Sequence, residues 1–118
     1  MAKYAILGGY TAEAWRGMID DPASRQAAVQ KAAAAVGASI EAFYWSFGDD
    51  DFLVIAEVPD DMSAAAISVG VGSSGRLRNL RTIKLITTDD AVNLLGKAQS
   101  VVRAYVPPGA REAAGISR

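Results

Sequence analysis

SIEAFYWSFGDDDFLVIAEV, residues 39–58, is the stretch on which the fold turns. Ser39–Phe47 is rich in aromatic residues, which suit a pleated, half-buried surface and predict a strand. Gly48-Asp49-Asp50 is a turn signal, and Asp51–Val58 predicts the returning strand. A loop at 48–50 sets Phe47 opposite Asp51, Trp45 opposite Leu53, Phe43 opposite Ile55 and Glu41 opposite Glu57. Side chains alternate along a strand, so these odd-numbered residues share one face of the hairpin. That face carries a ladder of Phe43, Trp45 and Phe47 with two facing carboxylates at one end. Like charges directly opposite are unfavourable. They call for solvent, a cation, a base such as Arg78 or Lys84, or a shared proton with one raised pKa.

Working outward toward the N-terminus, Lys3–Tyr10 predicts a first strand, closed by Gly8 and Gly9. Thr11 is a candidate N-cap for a short helical turn to Ile19, with Trp15 on its apolar side. Asp21 and Pro22 suit the cap and first position of a helix over Ala23–Val36, stopped by Gly37. Its stripe of Ala27, Ala28, Ala32, Ala35 and Val36 allows close approach to a partner. Toward the C-terminus, Asp60 or Asp61 caps a helix to about Ser73, weakened by Gly70 and Gly72. Arg76–Thr87 predicts a fourth strand. Thr87 or Thr88 caps a last helix over 89–104, with Val92, Leu95, Ala98 and Val102 on one face. The order β-α-β-β-α-β-α predicts an α+β class: a ferredoxin-like antiparallel sheet with helices on one face and an added C-terminal helix. The domain is expected over 1–105, with a tail over 106–118.

Composition narrows the chemistry. A chain of 118 residues suits one domain. It contains no histidine and no cysteine, which removes the usual ligands of zinc, copper, haem and iron–sulfur clusters, the commonest general base and the thiol nucleophile. No metal and no cofactor are expected. The Asp49-Asp50-Asp51 run has no calcium-loop spacing, and Gly70–Gly75 lacks the Lys-Ser/Thr of a phosphate loop. A net charge of −1 argues against nucleic acid. No apolar run reaches the length of a membrane span, and the opening residues lack the apolar stretch of a secretory signal, so a cytoplasmic location is expected. Charge is nonetheless segregated. Between Lys31 and Arg76 there are acids and no bases, whereas Arg76, Arg78, Arg81 and Lys84 follow with no acid among them. These segments form either two solvated edges or a pair that meets within or between subunits.

The ordered set Met1–Trp15, Phe43–Asp51, Val54–Asp60, Ser63–Ala66 and Val106–Gly109 resembles proteins of the GYD-domain family. The family's glycine and aspartate match Gly48 and Asp51, but Asp50 stands where an aromatic is expected, so no tyrosine role transfers there. The resemblance implies an α+β-barrel relative of ferredoxin-like proteins whose sheets pair face to face in dimers. It implies no particular activity.

The candidate ligand-binding residues are Tyr4, Glu41, Phe43, Trp45, Phe47 and Glu57, and no catalytic residue stands out. The favoured function is a homo-oligomeric, non-catalytic module for binding a small apolar or aromatic ligand, or for assembly. The alternative is a cofactor-independent oxygenase, isomerase or decarboxylase acting through Glu41, Glu57 or a tyrosine on a small, aromatic-type substrate. A third reading is a structural oligomer whose interior is filled by side chains.

Overall fold

The computed structural model describes residues 1–110 of the chain. The last eight residues of the expected 106–118 tail therefore lie outside the described residues. The described residues form four strands and four helices: β1 Ala2–Tyr10, α1 Ala12–Asp20, α2 Arg25–Ala34, β2 Ser39–Trp45, β3 Phe52–Val58, α3 Asp61–Gly72, β4 Leu77–Leu85 and α4 Thr88–Ala104. The strands make one sheet in the order β2-β3-β1-β4, with every neighbouring pair antiparallel. This is the ferredoxin-like α+β arrangement. Met1–Leu85 forms one compact unit, and α4 belongs to a second that begins at Ile86.

Capping places the helices. The hydroxyl of Thr11 accepts from Ala14 N, that of Ser24 from Ala27 N and that of Thr87 from Asp90 N, while the Asp60 carboxylate accepts from Ser63 N. The second helix starts two residues later than the Asp-Pro signal predicts, because Ser24 and not Asp21 supplies its cap. Gly37 follows the end of this helix at φ +74°, as expected of a stop.

The sheet buries its even-numbered β1 and β3 side chains under α2 and α3. Tyr4, Ala56 and Val58 pack with Ala33, Ala38 and Ala64. Ile6, Tyr10, Phe52 and Val54 pack with Ala14. Ile40 and Ile67 touch both groups and make the core continuous. Small residues dominate the helix side of this core, which lets the helices lie close to the sheet.

The hairpin register differs from the expected one. Trp45 faces Phe52, Tyr44 faces Leu53, Phe43 faces Val54 and Ala42 faces Ile55. A shift between Ile40 and Ala42 then leaves Glu41 as a bulge, so Ser39, not Glu41, faces Glu57. The reason lies at Asp51, which belongs to the loop. Its N–H donates to Gly8 O at 2.8 Å, and its carboxylate accepts from Tyr10 N at 2.8 Å and from Arg78 Nη2 at 3.1 Å. Held at the end of β1, Asp51 cannot pair with Phe47. A slip of one residue exchanges the faces of a strand, so Phe43 and Trp45 turn toward the helices.

β1 runs to Tyr10 as expected, with Gly8 and Gly9 inside it and not at its close. Gly9 makes room instead. A Cβ there would lie 2.4 Å from Arg78 Cζ, so the bare backbone lets the guanidinium cross β1 to reach Asp51. Asp50 pairs with Arg81, and Asp49 O accepts from Arg78 Nη1 at 3.3 Å. The acidic turn and the basic strand thus meet within the chain. β4 accommodates this with a bulge opposite Gly8, where Asn79 takes φ +50°.

Replacing Asp51 with Ala removes two hydrogen bonds made by a charged group and should cost about 2–3 kcal/mol in urea unfolding. Asp50→Ala removes a more exposed pair and should cost about 0.5 kcal/mol. Equal losses for the two variants would contradict the role given to Asp51.

Candidate functional site

The six candidate residues do not form one site. Tyr4 is buried, and its hydroxyl donates to the Asp61 carboxylate at the start of α3. Asp61 also accepts from Lys84 Nζ at 3.0 Å, and Lys84 is the cross-strand neighbour of Tyr4. The hydrogen bond to Asp61 pushes the Tyr4 hydroxyl up to about 12, with burial adding to the shift. The same bond, followed by that from Lys84, holds the Asp61 carboxyl below the usual aspartate range. Tyr4 is therefore a fixed donor that clasps α3 to β1, and it is poorly suited to serve as a base.

Glu41 and Glu57 are drawn together by Lys3, whose Nζ lies 2.7 Å from Glu41 Oε2 and 3.5 Å from Glu57 Oε1. The offsetting base is thus Lys3, not Arg78 or Lys84. The two glutamate side chains are 46% and 39% exposed, so they stand at a wet edge and not in an enclosed pocket. The bond to Glu41, ahead of the Coulomb attractions of both glutamates, raises the Lys3 pKa. Phe47 projects fully into solvent from the turn. Among the described residues no three aspartates or glutamates lie together as a metal-binding group.

Phe43 and Trp45 lead to the part of the molecule with space in it. Tyr10, at the end of β1, is the hub of an aromatic cluster. Its ring centroid lies 5.0 Å from Trp15, 5.2 Å from Phe52 and 5.8 Å from Trp45, and the two tryptophans are 5.3 Å apart. Three of these four contacts are edge-on, the arrangement favoured by ring quadrupoles. Trp45 Nε1 donates to Tyr10 Oη at 3.1 Å. Beside this cluster a cavity of about 120 Å³ lies between the sheet and helices α2 and α3. Ile6, Phe43, Phe52, Val54 and Leu80 form its floor, Ala28, Val29, Ala32 and Ala33 its roof, and Ile67 and Val71 its side. Arg25 and Tyr10 are the only ionisable residues in its wall. A wider cleft of about 420 Å³, bounded by α1 and the end of α3, shares Tyr10, Arg25, Val71 and Leu77 with the cavity.

Of the candidates named from sequence, Phe43 lines the cavity and Trp45 packs in the adjoining cluster. Arg25, Tyr10 and Ile67 were missed. Arg25 stands in a polar stretch that reads as solvated helix surface, and only the fold of α2 over the sheet turns it inward.

The sequence pattern of the GYD domain matches residues 4–95. This chain belongs to the GYD-domain family. The match takes in all four strands and the first three helices, and ends within α4. No curated protein and no solved structure matches the chain. Within the matched region, Asp51 ties the turn to β1 and β4. Asp50 pairs with Arg81.

The Tyr4–Asp61 contact has a defined pH signature. Because the Tyr4 value is raised in the folded protein, its contribution to stability is fully present below the ordinary value of 10.0 and is lost as pH rises through about 12. Because the Asp61 value is lowered, its contribution is lost at the other end, as pH falls below the ordinary aspartate value of 3.8. The difference in ultraviolet titration between wild type and Tyr4→Phe should therefore show a phenolate appearing only near pH 12. A difference spectrum complete by pH 10 would remove the clasp.

Proposed function

We propose that this GYD-domain protein is a cytoplasmic, homo-oligomeric module that binds a small apolar ligand in the cavity beneath α2 and α3. The cavity carries the reading: it is apolar on nearly every side, and it lies next to a wider, more polar cleft through which a ligand could enter. No carboxylate lines it, which favours binding over the acid–base chemistry that an oxygenase, isomerase or decarboxylase would route through Glu41 or Glu57; the tyrosine route of that alternative would fall to Tyr10, whose hydroxyl accepts from Trp45 Nε1. The cytoplasmic part of the reading rests on the cysteine-free sequence.

Self-association is supported by apolar side chains that each of the two units carries on its surface. The face of the sheet away from the helices carries Leu7, Leu53 and Ile55, which are half-buried, and Tyr44, Ile83 and Leu85, which are exposed. These replace the aromatic ladder expected there. On α4, Val92, Leu95 and Val102 are all exposed, and no residue of that helix is buried. Contiguous apolar patches of this kind are uncommon on soluble monomers, and a second copy of the same chain is the proposed cover.

Native mass spectrometry of protein purified from its own source tests both parts in one measurement. The expected result is a mass of two or more chains carrying a small-molecule adduct. Ala33→Leu, which fills the cavity from its buried roof, should keep the subunit number and lose the adduct. A single-chain mass at every concentration would overturn the assembly reading. An adduct retained by Ala33→Leu would place the ligand elsewhere.

A further inference from the structure

One charged side chain lines the apolar cavity, and its Nε makes no hydrogen bond among the described residues. Arg25 is the first residue of α2 and belongs to the walls of both the cavity and the cleft. Its Nε is buried and makes no hydrogen bond, alone among buried side-chain nitrogens and oxygens of the described residues. Arg76, Arg78 and Arg81 are each paired with a carboxylate, Glu13, Asp51 and Asp50 respectively. Arg25 has no such ion pair among the described residues, although Asp21 stands in the wall of the same cleft. A buried donor without an acceptor is unusual in a folded protein and calls for an explanation. The side chain that carries this donor lines both the apolar space and the wetter one.

The chemistry of a guanidinium narrows the occupant. Nε–H and the neighbouring Nη–H form a planar fork that matches the two oxygens of a carboxylate. The adjoining space is apolar and small. An apolar cavity of roughly 150 Å³ accepts benzene, so one of about 120 Å³ accepts a hydrocarbon group of about five carbons. We infer that the cavity takes a short branched or cyclic carboxylic acid. Its hydrocarbon part lies among Ile6, Phe43, Val54 and Ile67, and its carboxylate lies side-on against Arg25. The inference rests on the reading of the cavity as a ligand site, and it adds the charge and size of what enters.

Calorimetric titration with isovalerate and cyclopentanecarboxylate, each beside its uncharged primary amide, tests this directly. The acids should bind about tenfold or more tightly than the amides, the ratio set by hydrogen bonds to a charged group. Arg25→Leu should abolish that ratio while leaving amide binding in place, and Arg25→Lys, which keeps the charge and loses the fork, should retain only part of it. Thermal melts of each variant check that it is folded. Acids and amides that bind wild type equally would overturn the inference and leave the cavity standing as a ligand site. An acid preference that survives Arg25→Leu would also overturn it. If neither acid nor amide binds, the cavity itself fails as a site and the inference falls with it.

Discussion

At the end of β1 the Asp51 backbone and side chain are claimed by Gly8, Tyr10 and Arg78, and the placing of the aromatic residues follows from that claim. The Asp51 side chain is only 15% exposed, so its hydrogen bonds work in a setting less screened than open water. Moving Asp51 into the loop shifts the β2–β3 register. The shift turns Phe43 and Trp45 to the helix side of the sheet, where Trp45, still half exposed, meets Tyr10 and Trp15. Arg78 crosses β1 over Gly9, where any side chain would have to displace the guanidinium, and β4 bulges beside it at Asn79. One polar knot thus sets the geometry of three strands and of the apolar space beside them.

The element order was legible in the sequence because its signals are local. Thr11, Asp60 and Thr87 cap where capping chemistry places them, and the alternation in Phe52–Val58 gives a strand buried on one face. The family resemblance rested on the same segments. The register was not legible, because it depends on a hydrogen bond between Asp51 and Tyr10, 41 residues apart in the chain. Counting from the glycine of the turn puts the loop too early by a single step, and in a strand a single step exchanges inside for outside.

The same distinction explains the candidate residues. The like charges of Glu41 and Glu57 need an offset, and Lys3 supplies it from β1, a strand that a hairpin considered alone leaves out. The Tyr4 hydroxyl is held by Asp61, on a helix that the strand's own sequence does not reveal. Arg25 had no distinguishing neighbour in sequence. Its significance depends on the cavity wall, which is assembled from four strands and two helices.

The roof of that cavity is nearly all alanine. Ala28, Ala32 and Ala33 have no rotamers to change, and Val29 is stiff at χ1. A pocket walled by leucine or methionine can reshape itself around different guests by rotating side chains. On its α2 side this one can enlarge only by lifting the backbone away from the sheet, against the packing of Ala33 with Ala56 and Val58. Selection by size would then be abrupt. Guests below the limit would be accommodated loosely, and one more methylene would have to move a whole helix.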